Sequence, residues 1–171
     1  MTALRNKVRI YRKTMESKKI AIFPGSFDPF TIGHAAIVKR GLHLFDGIVI
    51  GIGVNKQKRM LSEVAKRAEV IRSYYSDEPR VSVESYDDLT IDFARRMGAQ
   101  FILRGLRSVK DFEYERDMAD MNRRLTGIET VLLFTEPPLA AISSSVVRDL
   151  IYHGHDVSDF LPRVPEKSGK E

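Results

Sequence analysis

Between Ile20 and Phe45 the chain passes from an apolar run, through a Gly/Pro-punctuated turn, into a run with a helical period. Ile20-Ala21-Ile22-Phe23 reads as a short strand, while Val38, Leu42 and Phe45 recur at i, i+4 and i+7. The turn between them is Pro24-Gly25-Ser26-Phe27-Asp28-Pro29-Phe30, and the helix that follows carries Gly33 and His34 in its first turn. A helix N-terminus has unpaired N–H groups and a partial positive charge, which suits an anion. Gly33 lets a ligand approach the backbone closely, and His34 sets an imidazole beside that ligand. A Gly-His pair alone fits an ordinary capped helix; the Pro-Gly-Ser-Phe-Asp-Pro turn before it makes this a candidate site.

The alternation continues to the end of the chain. Strands are expected over Lys19–Phe23, Gly47–Val54, Arg80–Ser85, Gln100–Leu103 and Glu129–Phe134. Helices are expected after the first turn, along the Val64/Ala68/Ile71/Tyr75 face with Ser62 as N-cap, over Thr90–Met97, over Asp111–Leu125 and over Ser143–His153. Five strands alternating with five helices predict one doubly wound α/β domain with a five-stranded parallel sheet. Ligands of such sheets bind beyond the carboxyl ends of the strands. There the sequence offers Gly25, Ser26 and His34, then Asn55-Lys56-Gln57-Lys58, then Arg104-Gly105-Leu106-Arg107, then Ser143-Ser144-Ser145. Cations, hydroxyls and glycines on one edge compose a polyphosphate site.

Charge bears on the choice of partner. The net charge of +5 includes Arg5, Lys7, Arg9, Arg12 and Lys13, all ahead of the first acidic residue, Glu16. Without these five the remainder is formally neutral, so a large footprint for nucleic acid is not indicated. Residues 1–17 have no apolar period or secretory core and read as a dispensable extension, 18–163 as the folded domain, and 164–171 as a tail. No apolar run approaches the roughly 20 residues of a membrane helix. The chain has no cysteine, which removes disulfides and thiolate chemistry and fits a cytoplasmic protein.

The turn and Thr31-Ile32-Gly33-His34 resemble the nucleotidyltransferases with a Thr/His-x-Gly-His signature, and most closely the phosphopantetheine adenylyltransferases. The resemblance runs from about Lys19 to Pro162 and implies a Rossmann-like fold. It also implies transfer of the adenylyl group of ATP to 4′-phosphopantetheine, giving dephospho-coenzyme A and pyrophosphate without a covalent enzyme intermediate. By the same resemblance His34, Lys58, Ser26 and Arg107 are catalytic, with Lys56 and Arg59 as alternatives to Lys58. Gly25, Ser26, Phe27, His34, Gly105, Arg107, Glu115, Ser143, Ser144 and Ser145 hold ATP. Ser26, Lys58, Leu89, Thr90, Arg104 and Asn122 hold phosphopantetheine, and Tyr114 lies near the nucleotide. Mg²⁺ is implied to arrive on the triphosphate, with no protein metal site. Also implied are a homohexamer built from trimers and feedback by coenzyme A.

Arginine suits these roles because its planar fork donates two parallel hydrogen bonds to phosphate. The Phe112/Met118/Met121 spacing reads as helix core. One departure is Pro137-Pro138-Leu139-Ala140-Ala141, where many relatives place an aromatic beside adenine; Leu139 offers packing without stacking. Two other enzymes of the superfamily are the nearest alternatives, acting on nicotinate mononucleotide or, with CTP, on glycerol 3-phosphate. Arg-Gly-Leu-Arg and Asp111-Phe112-Glu113-Tyr114-Glu115 count against both. A non-catalytic coenzyme A sensor is the alternative from another class.

Overall fold

The computed structural model describes residues 18–54 and 61–164. The expected N-terminal extension, residues 55–60 with Lys56, Lys58 and Arg59, and the tail beyond Val164 lie outside the described residues. Strands β1 (Ile20–Gly25), β2 (Gly47–Gly53), β3 (Val81–Tyr86), β4 (Phe101–Leu106) and β5 (Glu129–Phe134) form one sheet. Their order is β3-β2-β1-β4-β5, and every neighbouring pair is parallel. Helices α1 (Ile32–Gly41), α2 (Val64–Tyr74), α3 (Thr90–Arg96), α4 (Val109–Thr126) and α5 (Ser144–Tyr152) fill the crossovers and the C-terminal end.

The pleat sorts the core into two layers. Along β2, Ile48, Ile50 and Ile52 join Phe23, Ile37, Val38, Ala68, Ile71 and Leu103 on one face. Val49 turns to the other face, with Ile22, Phe93, Ala94, Ile102 and Ile128. Covering both faces is what parallel strands require, and it explains the near-continuous apolar run of β2. Fully burying each of these large side chains contributes about 1.5–3 kcal/mol.

Several local expectations change. β4 continues to Leu106, because its ladder with β5 runs unbroken from Phe101↔Glu129 to Leu106↔Phe134. Arg104 and Gly105 are therefore strand residues and share its rigidity. Ser62 is not the N-cap of α2; Glu63 holds that position, and the Ser62 hydroxyl bonds Asp28 instead. Leu89, not Thr90, caps α3, and the Thr90 hydroxyl lies 3.1 Å from that of Tyr86. α4 starts two residues early because Ser108 accepts the Asp111 N–H and caps it.

Candidate active site

Strand order reverses between β1 and β4, and there the sheet opens. Those strands pair only through Ala21↔Phe101 and Ile22↔Ile102, whereas β1–β2 and β4–β5 each pair over six residues. Beyond the two pairs, Nη1 of Arg104 donates to the Pro24 carbonyl at 2.6 Å and spans the gap. Two adjoining cavities, of ≈ 680 and ≈ 450 Å³, occupy the crevice. Pro24, Gly25, Ser26, Arg104 and Glu115 line both. A crevice at the reversal point is where doubly wound sheets bind ligands.

The turn between β1 and α1 is tightly built. Phe27 has φ 47°, a left-handed backbone that a bulky residue adopts only when its surroundings hold it there. Its buried ring is held between Phe23 and Phe30, and a Cβ at Gly25 would come within 2.8 Å of it. His34 meets the same cluster, stacked on Phe30 at 5.4 Å and edge-on to Phe27 at 5.1 Å. The Thr31 N–H donates to Nδ1 of His34 at 3.0 Å, a capping box in which histidine replaces the usual Glu or Gln. Because Nδ1 accepts, the neutral ring carries its hydrogen on Nε2, as a donor in the wall of the smaller cavity. Burial, then the positive charges of Arg107 and Arg104, push the His34 pKa from 6.5 down to about 4. At neutral pH this imidazole is an uncharged N–H donor.

The smaller cavity collects most of the expected nucleotide residues: Gly25, Ser26, Phe27, His34, Gly105, Arg107, Glu115, Ser143, Ser144 and Ser145. Ser143 caps α5 by accepting the Val146 N–H, and the Ser144 hydroxyl donates to the Pro29 carbonyl at 2.8 Å. Leu139 is not in this wall; its place is in a short 3₁₀ turn, and Ile142 supplies the apolar contact. Arg148 lines the cavity too, donating to the Asp28 carbonyl at 2.6 Å and to Ser145 Oγ at 3.0 Å. The sequence held a signal for it, since Ser144 and Arg148 are one helical turn apart.

Both arginines of Arg-Gly-Leu-Arg are paired. Arg107 donates to Asp111 at 3.3 Å, and Arg104 grips Glu115 with Nε and Nη2 at 2.5–3.0 Å. Glu115 is buried on the wall between the cavities and neutralises Arg104 there. The larger cavity holds Ser26, Thr90, Arg104 and Asn122 as expected; it is also lined by Tyr114, which was expected near the nucleotide and does not line the smaller cavity. Leu89 is two-thirds exposed and absent from its wall. Tyr86, stacked on Phe93 at 4.4 Å, was not singled out in the sequence. Asp88 also lines it and pairs with Arg96. The Phe112/Met118/Met121 stripe is not core: all three are substantially exposed, and Met118 lines the larger cavity. α4 rests on the edge of the sheet at β4 and β5, so much of its apolar surface is left uncovered.

Residues 22–150 match the cytidylyltransferase-like family model. The phosphopantetheine adenylyltransferase of Bacteroides fragilis is 59% identical over 143 residues, covering 84% of this chain and 95% of that protein. The chain belongs to the phosphopantetheine adenylyltransferase family. The family enzyme of Porphyromonas gingivalis is 55% identical over 145 residues, 85% of this chain and 95% of its own. Among solved structures, a putative nicotinate-nucleotide adenylyltransferase from Vibrio parahaemolyticus superposes with TM-score 0.63 at 19% identity, covering 86% of this chain and 88% of its own. A bifunctional NMN adenylyltransferase/ADP ribose pyrophosphatase from Francisella tularensis gives TM-score 0.66 at 16% identity over 87% of this chain. This chain spans 46% of that longer protein. At these identities the two structures speak for the fold alone.

Proposed function

We propose that this member of the phosphopantetheine adenylyltransferase family transfers the adenylyl group of ATP to 4′-phosphopantetheine, giving dephospho-coenzyme A and pyrophosphate. The observation that carries the reading is the wall shared by the two cavities: Ser26 and Arg104 line both, which suits an acceptor phosphate in one and a triphosphate in the other. An oxygen of the acceptor phosphate attacks the α-phosphorus, and the bond to the β-phosphate oxygen breaks, its electrons leaving with pyrophosphate. The nucleophile is already an anion, so the protein supplies alignment and charge stabilisation rather than a base.

His34 donates from Nε2 to the α-phosphate as negative charge builds there. Arg107, Arg148 and the α5 N-terminus with its serines hold the β- and γ-phosphates. Arg104 and Ser26 orient the acceptor phosphate, and Lys58 is assigned the neutralising cation on it. Thr90, Tyr86 and Asn122 line the route of the pantetheine arm. Among the described residues no group of three His, Cys, Asp or Glu is disposed to hold a metal ion, and the carboxylates of the smaller cavity already bond Arg107 and Arg104. The donors present fit an anion, so Mg²⁺ would enter with the triphosphate and would offset charge on the leaving group.

Coenzyme A bears the same pantetheine arm and competes for the larger cavity. A cytoplasmic homohexamer accords with the exposed apolar side chains of α4, among them Met121 and Leu125, and of Phe134 on β5. Among the described residues no helix is long and apolar enough to cross a membrane.

The test is Mg²⁺-dependent pyrophosphate release from ATP with 4′-phosphopantetheine, nicotinate mononucleotide or glycerol 3-phosphate supplied separately. Turnover is expected with 4′-phosphopantetheine alone, falling at least about 100-fold in His34→Ala. Turnover with another acceptor would overturn the assignment of the larger cavity.

A further inference from the structure

Two ionic side chains that the reaction does not use are buried at the Ser26 turn, Asp28 within it and Arg67 bonded to it. Asp28 is 0% exposed and Arg67, on α2, 4% exposed. They converge on one residue. The carboxylate of Asp28 accepts the Ser62 N–H and hydroxyl, each at 3.2 Å, and the Leu61 N–H at 2.6 Å. Arg67 donates through Nε to the Ser62 carbonyl at 3.1 Å, and through Nη1 to the carbonyl of Ser26.

The Ser26 turn is thus tied to the start of α2, while Arg148 and Ser144 of α5 hold the carbonyls of Asp28 and Pro29. Buried charges are a costly means of attachment, and apolar replacements of buried ion pairs are often equally stable. What charge-assisted hydrogen bonds add is direction, since each fixes a length and an angle.

We propose that Asp28 and Arg67 are positioning residues, which hold Ser62 by its N–H and hydroxyl and by its carbonyl respectively, and thereby set the Ser26 backbone at the junction of the two cavities. They touch neither substrate; they act through Ser26. This rests on the adenylyl-transfer reading above, in which Ser26 orients the attacking phosphate. A misplacement of about 1 Å in such a contact lowers rate by up to about 100-fold while leaving binding largely intact. The signature of positioning is therefore a fall in the chemical step and not in affinity.

The experiment compares Arg67→Met, which keeps the bulk and loses the donors, with Arg67→Lys, which keeps one donor, and with the mild Ser62→Ala. Single-turnover rate with both substrates saturating, equilibrium ATP affinity, KM for 4′-phosphopantetheine and hydrogen exchange of the 24–32 segment are measured on the full chain. Expected for Arg67→Met is a single-turnover rate about 10- to 100-fold lower. KM and ATP affinity are expected to stay within about threefold, partial recovery in Arg67→Lys, and a smaller loss in the same direction in Ser62→Ala.

Exchange of the 24–32 amides is expected to rise about tenfold or more in Arg67→Met, a readout that needs no turnover. A lowered melting temperature with unchanged rate and unchanged exchange in that segment would make Arg67 merely structural and overturn the proposal. If Arg67→Met does not fold, Ser62→Ala and Arg67→Lys decide by the same criteria. Inactive wild-type protein with every acceptor would instead sink the adenylyl-transfer reading, and the exchange data would still decide whether the clamp holds the turn.

Discussion

Replacing His34 with glutamine separates two things that the imidazole does. Its Nδ1 accepts the Thr31 N–H at the start of α1, and a glutamine in that position of a capping box makes the same contact. What glutamine lacks is a proton to gain. The His34 pKa lies at about 4 in the folded chain against 6.5 for the free side chain, because the ring is packed among Phe23, Phe27 and Phe30 with Arg107 and Arg104 nearby.

A histidine with a depressed folded pKa binds more protons when unfolded, so stability rises with pH across the interval between the two values. Above pH 6.5 the term is constant; it is lost as pH falls towards 4. Worked through for one site, the loss between pH 7 and pH 5 is about 2 kcal/mol, approaching about 3 kcal/mol below pH 4. Urea unfolding of wild type and His34→Gln at pH 7 and pH 5 measures it as a difference of differences, which cancels the other titrating groups. The wild type is expected to lose about 2 kcal/mol more than the variant over that interval. Equal losses, or a His34 ring proton titrating near 6.5 by NMR, would refute the neutral-donor reading.

Two further outcomes follow from packing and pairing. A Cβ at Gly51 would come within 2.4 Å of the Phe93 ring, which stacks on Tyr86 in the larger cavity. Gly51→Ala is therefore expected to lower stability by about 1–3 kcal/mol and to raise KM for 4′-phosphopantetheine, with ATP affinity unchanged; chemical denaturation and steady-state kinetics check both. Glu115→Gln removes the charged half of the Arg104 pair, and a loss of about 1.5–3 kcal/mol in unfolding free energy is expected, readable by chemical denaturation.

The sequence disclosed the fold well because parallel strands covered on both faces must be apolar nearly throughout, as β2 is, and because helical and strand periods alternate without interruption. It pointed to residues that the structure brings together around the crevice because Gly-His, Arg-Gly-Leu-Arg and the serine triplet are local in the chain. Asp28 and Arg67 were silent, since their partners lie 34 or more residues away for the Asp28–Ser62 and Arg67–Ser26 contacts and nothing in the spacing announces them. The α4 stripe misled for a related reason. Helical periodicity marks an apolar face but not what covers it, and Phe112, Met118 and Met121 stay exposed in one copy of the chain.

The narrow β1–β4 ladder gives the molecule a seam. A pull that separated Lys19 from Phe134 would part the sheet where two residue pairs, the Ile20–Gln100 hydrogen bonds and the side-chain tie from Arg104 to Pro24 cross the line. A ligand that filled the crevice would bridge that line, since residues of both β1 and β4 line it. Occupancy would then act as a suture: a bound molecule would add cohesion at the narrowest join of the sheet, and its release would remove it.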